Sequence, residues 1–225
     1  MNLIDAAIDV GVKKLVALST DKACKPVNLY GATKLASDKL FIASNAYSGD
    51  TGTLFSVVRY GNVMGSRGSV IPFFLKNKES SSLPITDKRM TRFMMTLEQS
   101  VSLVWHAFED MVGGEIYVKK NPSMKVTEIA SAISPEASHE IIGIRPGEKL
   151  HEEMISSEDS MFTYEYKNHF KILPLINNSH NDKKRIKDGI KVKEGFSYDS
   201  FNNGDWMSKE ILLNWVQKNY PEYNK

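Results

Sequence analysis

Two residue pairs near the start of the chain have the chemistry and spacing of a proton-transfer site. Asp21 and Lys22 are adjacent, and Tyr30 and Lys34 lie four residues apart. On a helix, that spacing places both side chains on one face, one turn apart. An ammonium beside a phenol favours the phenolate, so Tyr30 could take a proton from a hydroxyl group while a nicotinamide takes the hydride.

The elements around these pairs predict an α/β fold. In chain order, the apolar pattern indicates a helix, a buried strand, a helix and a strand at residues 3–8, 15–18, 30–47 and 55–60. This alternation is typical of a doubly wound parallel sheet with right-handed crossovers. Asp21 and Lys22 follow the first strand, where open α/β sheets bind their ligands. Both can face one ligand only if that strand has ended, because adjacent strand residues point to opposite faces.

Shorter elements are predicted in the rest of the chain. The pattern indicates helices at residues 72–75, 97–111, 125–133 and 208–220, and strands at 83–87, 115–118 and 141–144. Thr127 is a candidate helix cap, Arg59 is interpreted as the end of a strand, and the polar segment 177–191 is predicted to be a surface loop. We expect a partial Rossmann-like parallel sheet with a smaller C-terminal lobe. Residues 1–65 would form the second half of a dinucleotide-binding domain, and residues 66–225 mostly a substrate-binding lobe with segments returning to the main sheet.

Composition excludes several classes of protein. The chain has 225 residues, 41% of them hydrophobic, and its net charge of +2 is too small to predict binding to nucleic acid or an anionic membrane. No apolar run approaches the ~20 residues that span a bilayer. Cys24 is the only cysteine, and the five histidines lack the spacing of metal ligands. We therefore expect a cytoplasmic protein without a metal site.

A glycine-rich phosphate-binding turn is the expected start of a dinucleotide-binding fold. The candidate glycines here are Gly61, Gly65 and Gly68, spaced four and then three residues apart. The fingerprint needs two and then three, so we interpret these glycines as a flexible substrate loop. We expect the chain to be the later part of a longer protein.

Several motifs resemble a known family in order and in spacing. They lie at residues 19–34, 58–63, 65–70, 85–87, 89–93 and 144–152. Together they are similar to the extended short-chain dehydrogenases, and most of all to the inverting UDP-N-acetylglucosamine 4,6-dehydratases of the pseudaminic acid pathway. The resemblance runs from residue 1 to about residue 206.

The resemblance implies a lyase reaction on a UDP-sugar with NADP as cofactor, within polysaccharide biosynthesis. The sugar is oxidised at C4, water is lost across C5 and C6, hydride returns to C6, and C5 is inverted. It implies that Tyr30 accepts the C4 hydroxyl proton, Lys22 removes the C5 proton and Asp21 protonates the departing C6 hydroxyl. An ammonium cannot remove a proton, so Lys22 would have to act as the neutral amine.

The resemblance also implies binding residues and a homo-oligomer. Cofactor-binding residues would be Ser19, Tyr30, Lys34 and Val63. Substrate-binding residues would be Leu18, Asn62, Val70, Ile71, Pro72, Phe73, Arg92 and Arg145. The two arginines would bind the diphosphate, to which a guanidinium can donate two charge-assisted hydrogen bonds.

Two alternatives to the dehydratase stay open at this point. The same fold is used by nucleotide-sugar epimerases, and the chain could also be a catalytically silent fragment. Asp21 and Lys22 favour dehydration, because retaining dehydratases carry Asp-Glu at these positions. Taken singly, Asp21 with Lys22 could be a solvated pair, and Arg92 and Arg145 could be surface ion pairs.

Overall fold

A computed structural model describes residues 1–49, 52–175 and 179–223. The helices are α1 (Asn2–Asp9), α2 (Leu29–Ala43), α3 (Val70–Lys76), α4 (Leu97–Asp110), α5 (Val126–Ile133), α6 (Ser179–Ile186) and α7 (Lys209–Asn219). The strands are β1 (Lys14–Thr20), β2 (Leu54–Tyr60), β3 (Ser82–Ile85), β4 (Thr91–Phe93), β5 (Ile116–Lys119), β6 (Ser123–Lys125), β7 (Ser138–Ile141), β8 (Glu153–Ile155), β9 (Thr163–Glu165), β10 (His169–Ile172), β11 (Ile190–Lys191) and β12 (Tyr198–Asp199). Short 3₁₀ turns occupy Asp21–Ala23, Ser44–Ala46, Asp159–Phe162 and Pro221–Tyr223. No helix in these described ranges is long and apolar enough to cross a membrane.

The chain divides into two compact units. The first unit comprises Met1–Tyr60, Glu98–Lys120 and Glu153–Tyr198. The second unit comprises Gly61–Leu97, Asn121–Glu152 and Asp199–Lys225. The chain passes from one unit to the other several times, so each unit is assembled from segments that are distant in sequence.

A six-stranded sheet forms the centre of the first unit, in the order β1-β2-β5-β10-β9-β11. β1, β2 and β5 are parallel, whereas β10, β9 and β11 continue the sheet in antiparallel fashion. α1 packs on one part of β2 through Ile4, Ala7 and Phe55. α4 packs through Leu103 and Ala107 against Val58 of β2. The predicted α/β class with a parallel sheet is confirmed.

The exposure of β1 differs from the prediction. Its apolar run at residues 15–18 forms the predicted strand, but the run is only half-buried, and Leu18 is 53% exposed. β2, by contrast, is buried over its five central residues. Within the described residues, β1 pairs with β2 alone and so lies at the edge of the sheet. The prediction of a buried strand was therefore wrong, although the strand itself is confirmed.

Three local predictions are corrected. Residues 179–186 form α6 rather than a loop, and residues 177 and 178 lie outside the described ranges. The guanidinium of Arg185 explains this helix, because it is buried, donates to the Gly113 carbonyl at 2.8 and 3.0 Å and lies 3.6 Å from Glu115. The strand predicted at 141–144 ends at Ile141. Thr127 does not cap α5, whose N-cap is Lys125.

The second unit has its own hydrophobic core. Parallel strands β3 and β7 form one pair, and antiparallel strands β4 and β6 form another. α3, α5 and α7 contribute the buried side chains of Phe74, Ile129 and Leu212. The predicted helices at 72–75, 125–133 and 208–220 correspond to these three, with ends that differ by a few residues.

Burial of an imidazole gives the first unit a pH-dependent stability. Burial lowers the pKa of His169 to about 4, whereas an unfolded histidine titrates near ~6.5. Between these values the unfolded chain binds a proton that the folded chain does not bind, so stability falls as the pH decreases.

We therefore expect the urea concentration at the unfolding midpoint to decrease as the pH is lowered from about 7 to about 5. The slope of this midpoint against pH should be smaller in a His169→Phe variant. His139→Phe, in the second unit, is the control and should keep the wild-type slope. Equal slopes for wild type and His169→Phe would contradict the assignment.

Candidate active site

The end of β1 places Asp21 and Lys22 together. The strand stops at Thr20, and Asp21 begins a 3₁₀ turn, as the shared orientation of the two side chains requires. The Thr20 hydroxyl accepts from the Lys22 backbone N–H at 3.4 Å and donates to Asp21 Oδ1 at 2.8 Å. Thr20, which the sequence analysis did not single out, therefore fixes both residues.

The Asp21–Lys22 pair spans the boundary between interior and solvent. Lys22 Nζ lies 3.1 Å from Asp21 Oδ1. The side chain of Asp21 is 3% exposed, whereas that of Lys22 is 39% exposed. The contact therefore joins a buried carboxylate to an amine that solvent can reach.

Tyr30 and Lys34 lie in the first part of α2, the helix that the apolar pattern predicted at residues 30–47. The Asn28 side chain caps this helix by accepting from the Gly31 N–H at 2.8 Å. Tyr30 is 53% exposed. Lys34 Nζ donates to the carbonyl of Leu18 at 3.3 Å, which brings the amine to the carboxyl end of β1.

Gly31 brings the first turn of α2 against the Asp21–Lys22 turn. A Cβ atom on Gly31 would lie 2.3 Å from the carbonyl oxygen of Lys22 and 2.9 Å from the Pro26 side chain. Only a residue without a side chain fits at that distance. The absence of a Cβ therefore lets Gly31, and with it the first turn of α2, approach the backbone of Lys22 closely.

A buried polar network lies beneath α2. Ser19 Oγ donates to Asp38 Oδ2 at 2.8 Å, and Arg59 lies 3.3 Å from the same carboxylate. Arg59 also donates to the Met154 carbonyl at 2.9 Å. Ser19 and Arg59 are directly paired in the β1–β2 register. The cofactor role expected of Ser19 stays a prediction, since its hydroxyl proton is directed to Asp38 here.

Asp38 and Arg59 are residues that the sequence analysis missed. Asp38 follows Lys34 by four residues, as Lys34 follows Tyr30, so the three share one helical stripe. That spacing was the available signal. Arg59 gave no comparable signal, because only the fold shows that the end of β2 is covered.

Loss of the Asp38 carboxylate is expected to destabilise the first unit. Burial raises the pKa of Asp38, and Arg59 and Ser19 oppose that rise. Asp38→Ala would leave the buried Arg59 charge with weaker compensation and cost about 3 kcal/mol in the free energy of unfolding. Asp5→Ala, at an exposed position of α1, is the control for a urea titration. A loss no larger than that of the control would rule out a stabilising role for the pair.

Other predicted site residues lie in the second unit, where Glu152 connects two of them. Glu152 is buried, accepts from the Phe93 backbone N–H at 2.8 Å and from the Asn62 amide, and lies 3.6 Å from Arg92. The Arg92 guanidinium also donates to the carbonyls of Thr91 and Leu150 at 2.7 and 3.1 Å. The diphosphate role of Arg92 stays a prediction, and its present partners hold it within the protein.

The remaining predicted residues differ in exposure. Arg145 is exposed, and Val63 is half-buried in an isolated bridge to Met95. In α3, Ile71 is 2% exposed and belongs to the hydrophobic core, whereas Phe73 is 43% exposed. Val70 and Pro72 are half-buried. For lining a nucleotide pocket, Phe73 is thus better placed than Ile71.

Comparison with known proteins places the chain in a family. A family model described as polysaccharide biosynthesis protein matches residues 1–174. The chain belongs to this family. An inverting UDP-N-acetylglucosamine 4,6-dehydratase of Campylobacter jejuni (strain 81-176) is 57% identical over 227 residues, which cover 96% of this chain and 66% of that protein. The resemblance inferred from the motifs is confirmed.

Other members and structures are more distant. A UDP-glucose 4-epimerase of Rickettsia canadensis is 40% identical and covers 96% of this chain and 67% of that protein. The X-ray structure of Pen from Bacillus thuringiensis matches with a TM-score of 0.83 at 36% identity, covering 97% of this chain and 66% of that one. The chain thus spans just under two thirds of the Campylobacter relative and of Pen.

Proposed function

We propose that the chain carries the catalytic residues of an inverting UDP-N-acetylglucosamine 4,6-dehydratase. The product would be a UDP-4-keto-6-deoxy-hexosamine with inverted configuration at C5. The observation that carries the proposal is the turn at the end of β1, where Asp21 and Lys22 pair at 3.1 Å against the helix that bears Tyr30. The 57% identity to a relative of that name supports the same reading.

The proposed dehydration needs both residues of the Asp21–Lys22 contact in their neutral forms. Lys22 must be a neutral amine to remove the proton at C5, and Asp21 must be a carboxylic acid to protonate the departing C6 hydroxyl. Transfer of one proton from Lys22 Nζ to Asp21 Oδ1 creates both states at once. The 2.8 Å bond from Thr20 holds the accepting carboxylate in place.

In this proposal, Tyr30 serves the oxidation step. As a phenolate, its oxygen accepts the proton of the C4 hydroxyl, and the Lys34 ammonium one turn away stabilises that phenolate. Oxidation at C4 makes the C5 proton acidic, because the resulting carbanion is an enolate. The proton removed by Lys22 therefore becomes available only after Tyr30 has acted.

The residues at the end of β1 fit the ribose and nicotinamide of a dinucleotide. Lys34 and Tyr30 offer an ammonium and a half-exposed phenol beside the Leu18 carbonyl, a donor set suited to ribose hydroxyls. We infer NADP as the cofactor, with Ser19 and Val63 as further contacts. When bound, it would supply a hydride acceptor for C4 and a hydride donor for C6.

The second unit supplies the residues that we assign to the UDP-sugar. Asn62 would bind the sugar, Arg92 and Arg145 the diphosphate, and Val70, Ile71, Pro72 and Phe73 the rest of the substrate. Arg145 is the more accessible of the two arginines, since it is exposed whereas the Arg92 side chain is 15% exposed. We further infer a homo-oligomer in the cytoplasm; the exposed apolar side chains of Leu3 in α1 and of Val10 directly after it support the oligomer.

The mass of the product tests the proposal. The protein expressed from its full reading frame would be incubated with UDP-N-acetylglucosamine and NADP⁺. Dehydration predicts a product lighter by one water. A product of unchanged mass would reject dehydration and support the second candidate below. The absence of any product would support a silent fragment.

Epimerisation at C4 is the second candidate, because 40%-identical relatives are named UDP-glucose 4-epimerases. Tyr30 and Lys34 would serve that reaction equally well. The Asp21–Lys22 pair has no task in it, since neither the C5 proton nor the C6 hydroxyl leaves.

A further inference from the structure

A cavity in the first unit includes no residue that we assign to the active site. Its volume is about 440 Å³, and its walls come from α4, β5, β10 and the segment that follows α6. Its charged lining comprises four lysines (Lys119, Lys167, Lys171 and Lys187) and two acids (Asp110 and Asp188). Cations therefore outnumber anions around it.

One carboxylate pairs with two of the four lysines. Lys171 Nζ lies 2.8 Å from Asp110 Oδ2, and Lys187 Nζ lies 2.5 Å from Asp110 Oδ1. Tyr117 also donates to Asp110 at 2.8 Å. Asp110 is thus shared between two ammonium groups, and the lining as a whole, with four lysines and two acids, keeps a positive formal charge.

Two further lysines flank a histidine at the rim. Lys119 is directly opposite His169 in the β5–β10 register, so both side chains lie on one face of the sheet. The Tyr166 N–H donates to the His169 carbonyl at 2.9 Å and closes a hairpin whose turn is Lys167 and Asn168. His169 Nε2 lies 3.4 Å from His106 Nε2 on α4.

The segment after α6 adopts an uncommon backbone that completes the wall. Lys187 has a φ of +50°, a conformation rarely adopted by residues other than glycine. Two residues later, Gly189 lies against Tyr166, so that a Cβ there would be 2.4 Å from the ring. The Tyr166 ring in turn stacks on His169 at 4.5 Å. Strained backbone of this kind is found preferentially at ligand sites.

We propose that this cavity binds a phosphate group, as inorganic phosphate or as the phosphomonoester of a small metabolite. Lys119 and Lys167 at the rim would contact the phosphate oxygens, which form strong hydrogen bonds with ammonium groups. The volume lies within the range of about 300–1,000 Å³ typical of small-molecule sites. The Nε2 atoms of His106 and His169 are close enough to share a divalent cation. The positive charge of the surrounding lysines disfavours a cation there.

Histidine NMR signals test this proposal directly. The chain would be titrated with inorganic phosphate and with glucose 6-phosphate at constant ionic strength. We expect saturable shifts of the His106 and His169 Cε1–H signals and none at His139 or His151. Tighter binding of glucose 6-phosphate would identify a phosphorylated metabolite as the ligand, and equal binding would identify the phosphate ion.

Four variants make the test specific. Lys119→Gln and Lys167→Gln should each weaken binding by about tenfold, whereas Lys125→Gln in the second unit should leave it unchanged. Lys22→Ala should also leave it unchanged, which separates this site from the proposed active site. The absence of a saturable shift, or unchanged affinity in the two rim variants, would overturn the proposal.

Discussion

Lys22→Ala is expected to lower dehydration turnover by about 10³-fold, within the range for loss of a general base, while oxidation at C4 continues. The reason is that Lys22 carries the amine that pairs with Asp21 in the turn after β1. The variant would still transfer the C4 hydrogen reversibly to the nicotinamide, a step that depends on Tyr30. It would no longer exchange the C5 hydrogen with solvent, which deuterium incorporation from D₂O measures.

Lys25→Gln provides the matched control for this prediction. Lys25 lies three residues further on, is exposed and pairs with Glu153 at 3.1 Å. It should keep wild-type turnover and wild-type exchange at C5. If Lys22→Ala retained C5 exchange, another residue would have to be the base.

Gly31→Ala is expected to reduce both stability and turnover, although it adds a single methyl group. That methyl would lie 2.3 Å from the Lys22 carbonyl oxygen, and a backbone atom cannot rotate away as a side chain can. We expect a loss of about 3 kcal/mol in the free energy of unfolding. A displacement of about 1 Å between Tyr30 and Lys22 would lower turnover by about 10²-fold.

Gly204→Ala is the control, because a Cβ there meets nothing within 4 Å. Urea titration and turnover would be measured for both variants. If Gly31→Ala matched Gly204→Ala in both measurements, the close approach of α2 to the Asp21–Lys22 turn would not be needed for function.

The central part of the site could be predicted from sequence because its signals are local. The end of β1 before Asp21 follows from the need for both side chains to face one ligand, and the structure places the 3₁₀ turn there. The helix with Tyr30 and Lys34 follows from the apolar pattern of residues 30–47, and their spacing then puts both side chains on one face. Asn28 as its cap is a local signal that could also have been found.

The residues that were missed depend on long-range packing. Arg59 and Asp38 come together only when β2 and α2 lie side by side. Glu152 contacts Asn62 and Phe93, which are distant in sequence. The helix α6 was mistaken for a loop because its polar composition conceals the burial of Arg185 against Gly113 and Glu115. Hydrophobic periodicity carries no information about such polar contacts.

Tracing a deuterium label from C4 of UDP-N-acetylglucosamine is the most direct test that this site couples oxidation at C4 to loss of water. The proposed mechanism predicts that the deuterium appears at C6 of a 4-keto product, with a solvent hydrogen at C5. NMR would detect both. Deuterium that stays at C4, in the substrate or in its epimer, would contradict it.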